Sequence, residues 1–299
     1  MKKYAIFTAI VGNYDKILQP KVVDPDFDYI LFSNDINGKK IGIWQVHKID
    51  YINKDQIKIA RWVKAHPEDL LHGYDFSIWM DANIQVETDF IYRRSKELFN
   101  TKKTISSMVH PYRNCIYQEM LAVFALRCES AKTIIKWSKF LKKENYPKNI
   151  GLHETNVVFR NHTTDDIKKI DNMWWNYIKE YSRRDQLSFN FILWKCGVSC
   201  EPFLPSHQST RNSEHFKLIP HANSQIKMCT NKEDFSWMQY YCTLFPEERD
   251  AIESIFSKIL DMRHPIFWLC LYGIKYKIIF YWKTLQKTIK KMFIQGHFK

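Results

Sequence analysis

The chain has 299 residues, 45% hydrophobic and 15% aromatic, with a formal net charge of +13. That length suits one large or two modest domains, and the composition excludes a disordered or low-complexity chain. Only 8 glycines are present, without a Walker-type or dinucleotide fingerprint among them, so Gly-rich phosphate loops are excluded too.

Seven cysteines form an odd, irregular set whose one close pair is Cys196-x-x-x-Cys200. Neither a zinc site nor a disulfide framework is expected, and reduced thiols fit a cytoplasmic protein. The apolar run after Met1-Lys-Lys breaks at residues 12–15, too early for an export signal. Seven lysines and no acidic residue follow His264, so most of the net charge sits in residues 264–299.

Residues 4–10 read as a buried strand, followed by a turn at 11–15. A second strand spans 28–33 and runs into Asn34 and Asp35, and a shorter one spans 43–46. Residues 55–65 are predicted helical, interrupted by Pro67. The strand 76–80 ends in Asp81, with Asn83 two residues on and apolar residues resuming at 84–86. Thr88 suits an N-cap for a helix to about Phe99. A strand at 104–109, helices at 114–127 and 130–143, and a strand at 156–160 come next. Thr164 opens a helix carrying Trp174 and Trp175, and the apolar helix 185–194 is closed by Gly197. Strands alternating with helices indicate an α/β sheet with crossover connections.

The character shifts near Pro246. Residues 247–262 read as one helix, and Pro265 starts another. On its wheel Ile274, Ile278, Tyr281, Trp282, Leu285, Ile289, Met292 and Phe293 share a side. Lys277, Lys283, Lys287, Lys290 and Lys291 fall opposite, with Lys275 out of place. A basic amphipathic helix with interfacial aromatics suits an anionic membrane surface; the other reading is a helix docked on its own domain. Nucleic acid is not expected, because the lysines line one helix and arginine is scarce there. The expected division is 1–245 for the α/β domain and 246–299 for a helical, membrane-apposed tail.

Four polar clusters fall where strands end or helices begin. Asp81 and Asn83 offer two oxygens to a hard cation such as Mn²⁺ or Mg²⁺, or form an ordinary turn. Thr8, Gly12 and Tyr14 with Asp35 suit a nucleoside, by ring stacking and a carboxylate acceptor, or are a solvent-exposed turn. Arg61 and Lys64 suit a diphosphate, or face solvent. Asp185 at a helix start would take a proton from a hydroxyl, or cap the helix. His153 and Glu154 before an inner strand, and Arg113 with Glu119 near a helix start, suit an acceptor rim, or are a loop pair and a capped helix start.

In that order, Phe7-Thr-Ala-Ile-Val-Gly-Asn-Tyr-Asp15, Asp28-Tyr-Ile-Leu-Phe-Ser33, Ser77-Ile-Trp-Met-Asp81-Ala-Asn83 and Arg184-Asp-Gln-Leu-Ser-Phe-Asn190 resemble one family. It is a glycosyltransferase-like family, formerly a domain of unknown function, with members in bacterial polysaccharide clusters and in plants. The resemblance covers roughly residues 3–225, and the family is similar to GT-A-fold, nucleotide-sugar-dependent glycosyltransferases. It implies a GT-A-like (Rossmann-like) mixed sheet flanked by helices, ahead of the C-terminal helical tail. It also implies a nucleotide-sugar donor, with a uridine type favoured, held through a divalent metal (Mn²⁺ or Mg²⁺). Asp81 and Asn83 fall at the Asp-x-Asp position, Tyr14 and Asp35 in the nucleoside region, and Asp185 at the catalytic or acceptor-binding helix start. A late histidine ligand is implied, with His207, His215 and His221 as candidates and His215 preferred. Asn83 departs from the pattern, a neutral carbonyl standing where a second carboxylate is usual.

The expected activity is transfer of a sugar to a hydroxyl of a saccharide or lipid-linked saccharide acceptor, in capsule or lipopolysaccharide synthesis. The expected place is the inner face of the cytoplasmic membrane. A nucleotidyltransferase also uses acidic strand ends and a metal, and a non-catalytic membrane scaffold would keep the same fold.

Overall fold

The computed structural model describes residues 4–125, 128–205, 207–222 and 249–294. The chain divides into two compact units, residues 1–116 with 149–225, and residues 117–148 with 226–299. The strands are β1 (Tyr4–Ala9), β2 (Phe27–Phe32), β3 (Lys40–Ile41), β4 (Trp44–His47), β5 (Phe76–Met80), β6 (Ile84–Val86), β7 (Ile105–Val109), β8 (His153–Asn161), β9 (Glu201–Pro202) and β10 (Phe216–Leu218). The helices are α1 (Gln56–Lys64), α2 (Pro67–Leu70), α3 (Phe90–Asn100), α4 (Ile116–Ala125), α5 (Ala131–Lys143), α6 (Asp166–Glu180), α7 (Gln186–Cys196), α8 (Arg249–Leu260) and α9 (Pro265–Ile294).

The first unit is built on an eight-stranded sheet in the order β3-β4-β2-β1-β5-β8-β7-β9. β1 pairs in parallel with β2 and β5, whereas β8 runs antiparallel to β5 and β7, so the sheet is mixed as expected. All five residues of β5 are buried, which a continuous apolar run achieves only with both faces covered. Ile6, Phe27, Leu31, Ile78 and Phe159 lie in its core. β6 and β10 form a separate two-stranded ribbon.

Local chemistry explains the helices that matter to the site. The Asp55 side chain accepts the Ile57 N–H at 3.0 Å and caps α1. Pro67 does more than interrupt: it opens α2, where its missing N–H has no partner to lose. Residues 187–193 of α7 are buried without a break, so this stretch of the helix sits in the interior. Gly197 closes it at φ +67, a left-handed turn that glycine adopts without strain. The helix 90–100 takes Asp89 rather than Thr88 as its N-cap residue.

The second unit is helical. Lys142 of α5 pairs with Asp261, and the Phe124 and Phe256 rings lie 6.1 Å apart. The expected boundary near 245 followed sequence order, whereas the helical unit also takes in residues 117–148. The physical reason is topological: β7 and β8 pair directly, so the chain between them leaves the sheet without disturbing it. In α9, Leu269 and Tyr276 are buried, while Phe267, Leu271, Ile274, Ile278, Tyr281, Trp282 and Leu285 are exposed. At 100° per residue those exposed side chains form one row, with Lys275 and Lys277 on either flank. Ile289, Met292 and Phe293, with Lys287, Lys290 and Lys291, lie outside the described side chains. No helix among the described residues is long and apolar enough to cross a membrane.

Candidate active site

From β1 the chain moves outward to β2 and β4, then returns past β1 to β5 on its other side. The carboxyl ends of β1, β2 and β5 point the same way, and loops leaving them in opposite directions open a crevice at that edge. Gly12 to Asp15 follow β1, Asp35 follows β2 and Asp81 follows β5. Because β8 runs the other way, its first residues reach the same edge. The Asn156 carbonyl accepts the Asp81 N–H at 2.8 Å, and His153 pairs with Val109 at the end of β7.

The loop after β1 is fixed by backbone geometry. Gly12 and Asn13 are both left-handed, at φ +68 and +51. The Gly12 N–H donates to Asp35 Oδ2 at 2.5 Å, tying the first two strand ends together. Tyr14 is 44% exposed, its ring 4.6 Å from that of His221, whose Nδ1 lies 2.8 Å from Asp15 Oδ1. Thr8 is buried, and its hydroxyl has no hydrogen-bond partner among the described residues.

Next to this loop sits a cluster of two cations and two carboxylates. Lys64 is fully buried, its Nζ 2.5 Å from Asp185 Oδ2 and 3.7 Å from Asp81 Oδ1. Arg61 Nε lies 3.1 Å from Asp185 Oδ1, and its Nη1 3.8 Å from Asp81 Oδ1. Trp79 Nε1 donates to Asp81 Oδ1 at 2.7 Å, and Thr155 Oγ1 donates to Asp185 Oδ2 at 2.9 Å. Lys64 Nζ also lies over the rings of Trp79 and Trp174, at 5.3 and 5.6 Å. Burial works to push Asp185 up, but Arg61, Lys64 and Arg184 hold it well below the usual carboxylate range. Burial pulls the Lys64 ammonium down, against the two carboxylates that hold its proton.

A profile of the TOD1/MUCI70 glycosyltransferase-like domain matches residues 1–215. The chain belongs to this family. No curated protein matches it in sequence. Among solved structures it is similar to the apo bifunctional glycosyltransferase WbbM, at 12% identity and a TM-score of 0.39, covering 67% of this chain and 38% of that one. Core-mannan synthase A (CmsA/Ktr4) of Aspergillus fumigatus in its Mn/GDP form gives 9%, 0.37, 64% and 70% in the same order. The galactosyltransferase LgtC with donor and acceptor sugar analogues gives 12%, 0.36, 63% and 70%. This chain thus spans 38% of WbbM, and likeness at these scores carries no chemical argument.

Within this TOD1/MUCI70-type domain Asn83 and His215 each have a partner of their own. The Asn83 Nδ2 donates to the Ile219 carbonyl at 2.9 Å, clasping the chain just beyond β10. His215 stacks on Phe90 at 4.2 Å, and its carbonyl accepts the Glu87 N–H. It therefore lies past the far end of β6, three strand residues or about 10 Å from Ile84. β10 runs back toward Asp81, and His221, beside Asp15 and Tyr14, is the histidine next to the β1 loop. His207 is exposed, its carbonyl accepting from Asn212. Among the described residues no three His, Cys, Asp or Glu side chains gather closely enough to hold a metal ion.

The acceptor-side residues are partly brought together. His153 is clasped by Asn190, its N–H donating to Asn190 Oδ1 and its Nδ1 2.9 Å from Asn190 Nδ2; burial holds its ring below the ordinary pKa. Glu154 is buried and accepts from Arg211 Nε at 2.7 Å. Arg113 Nη2 lies 2.9 Å from His110 Nε2, and burial, with Arg113 and Arg211, pushes His110 down to about 3. Arg211, Thr155 and Trp79 were missed from sequence. Trp79 alone had a signal, standing two residues before Asp81 on the same side of a strand. A cavity of about 740 Å³ belongs to the helical unit, lined by Lys132, Ile135, Arg263 and Phe267 among others. Convergent charge singles out the sheet edge of the first unit.

Proposed function

We propose that this chain is a glycosyltransferase that moves a sugar from a nucleotide-diphosphate sugar to a hydroxyl of a saccharide acceptor, in cell-surface polysaccharide synthesis. One observation carries the reading: an exposed aromatic loop, two cations and Asp81 meet at the sheet edge where the winding reverses. Tyr14 and Asp35 would meet the nucleoside and Arg61 the diphosphate. Lys64, held between Asp185 and Asp81, fixes both carboxylates. Asp81, with Asn83 beside it, would hold a divalent cation carried in by the donor, which neutralises charge on the leaving diphosphate.

Asp185 has both oxygens committed to cations and to Thr155, so it serves to orient Arg61 and Lys64 rather than to take a proton. The exposed row of α9, with its flanking lysines, would lie on an anionic bilayer at the inner face of the cytoplasmic membrane. The family supports sugar transfer, and the charge pattern supports a diphosphate donor.

The test is a screen of nucleotide sugars for released nucleoside diphosphate, with Mn²⁺ titrated separately into protein and into protein plus the nucleotide. Expected are donor-dependent release and cation uptake only when the nucleotide is present. Release of pyrophosphate instead would make the protein a nucleotidyltransferase, and no binding of any nucleotide would leave only a scaffold.

A further inference from the structure

We propose that Glu154, held in place by Arg211, is the group that removes the proton from the acceptor hydroxyl, and that Glu154 and Asn156 together bind that sugar. This rests on the glycosyl-transfer reading above. Glu154 is 3% exposed; Oε1 accepts from Arg211 Nε at 2.7 Å, but Oε2 is buried with no hydrogen-bond partner among the described residues. Asn156 repeats the pattern two residues on. Its Nδ2 donates to Thr210 at 2.7 Å, while its Oδ1 is buried and unpaired. Buried acceptors are costly to leave unmade, so two on one short stretch call for a ligand rich in O–H donors. A sugar has adjacent hydroxyls, whereas an anion would be repelled by Glu154.

Position supports the role. The Asn156 carbonyl holds the Asp81 N–H, so Glu154 lies close to the end of β5, in the stretch where β8 bulges against β7. The other carboxylates at this edge are engaged. Asp185 is bound by Lys64, Arg61 and Thr155, Asp15 by His221, and Asp35 by the Gly12 N–H. Asp81 takes the Trp79 N–H and faces two cations.

The step balances without a further reactant. The hydroxyl proton passes to Glu154 Oε2, and the hydroxyl oxygen forms a bond to the anomeric carbon. The bond from that carbon to the diphosphate oxygen breaks, and its electron pair leaves with the nucleoside diphosphate toward Arg61. A single displacement of this kind inverts the anomeric configuration.

The experiment compares wild type with Glu154→Gln and Glu154→Ala on the full chain, using the donor and acceptor found in the screen. Glu154→Gln is expected to bind the nucleoside diphosphate as wild type does but to lose transfer by 10²-fold or more, the usual weight of a general base. Formate or azide should restore turnover to Glu154→Ala, and the wild-type product should have inverted configuration by NMR. Arg211→Lys should retain more turnover than Arg211→Met at equal nucleotide affinity, as a positioning residue would. Transfer by Glu154→Gln within about threefold of wild type, or a product of retained configuration, would overturn the proposal. Should the Gln variant fail to fold, rescue of Glu154→Ala by formate or azide and the Arg211→Lys against Arg211→Met comparison decide: no rescue together with equal turnover of the two Arg211 variants would overturn the proposal. A wild type that releases no nucleoside diphosphate from any donor sinks the sugar-transfer reading on which the proposal stands, before any variant is compared.

Discussion

A carboxylate at the first turn of a helix has two ways to lower its energy: capping the helix or finding a cation. Asp185 makes no capping bond and turns to Lys64, 121 residues earlier in the chain. Sequence places the carboxylate at the helix start but carries no sign of that distant partner, so capping and proton transfer looked like the alternatives. Asp81 was legible because its place depends on a local feature, the end of an apolar strand. Removing one member of a buried ion pair strands the other, at roughly 3–5 kcal/mol. Asp185→Asn should therefore destabilise the protein by about 3 kcal/mol at pH 7 in urea melts. Because the folded pKa of Asp185 is depressed, its contribution is present above the ordinary carboxylate range near 4 and is lost as the pH falls through the folded value. The gap between wild type and Asp185→Asn should hold from pH 8 to about 5 and close only under strongly acid conditions. A gap that widens as the pH is lowered would contradict the ion-pair account.

Elements with a strong local pattern were legible, and those defined by distant partners were not. β1, β2 and β5 are apolar runs that end in polar turns, and their positions agree with expectation to within a residue or two. β6 and β10 are three residues each and exist because Ile84 meets Leu218 across 134 positions of sequence, a pairing no local composition announces. The loop after β1 lies between these cases. Its glycine was visible, but the need for it was not. At φ +68 any other residue is strained, and a Cβ on Gly12 would stand 1.9 Å from Gln56 Oε1, the far end of a flexible side chain. Gly12→Ala should cost about 1–2 kcal/mol from backbone strain and weaken nucleotide affinity, since the same N–H ties Asp35. Adding Gln56→Ala should relieve the steric part and leave the backbone part, as read by thermal melts and nucleotide titration. Full recovery in the double variant would mean that the left-handed turn carries no strain.

At the scale of the whole molecule, sequence order misled where the chain leaves a unit and comes back. The helical unit draws on residues 117–148 as well as the C-terminal region, and a boundary read as one cut near 245 cannot show that. The amphipathic pattern of α9 was legible because it repeats every turn, and the structure leaves its apolar row exposed in the helical unit. On the proposed membrane contact, Phe267, Ile278 and Trp282, each more than 60% exposed, would supply area for insertion at a bilayer surface. The lysines of residues 264–299 would supply attraction to anionic headgroups at about 1 kcal/mol each near the surface. Both contributions are needed, so neutral vesicles should bind poorly and added salt should weaken binding to anionic ones. Phe267→Glu combined with Trp282→Glu should cut sedimentation with phosphatidylserine vesicles at least tenfold without changing the melting temperature. Ile52→Glu, at an 89% exposed position of the sheet unit, is the matched control and should bind as wild type. Equal binding by the double variant, or equal binding to neutral and anionic vesicles, would show that this face meets something other than a charged bilayer.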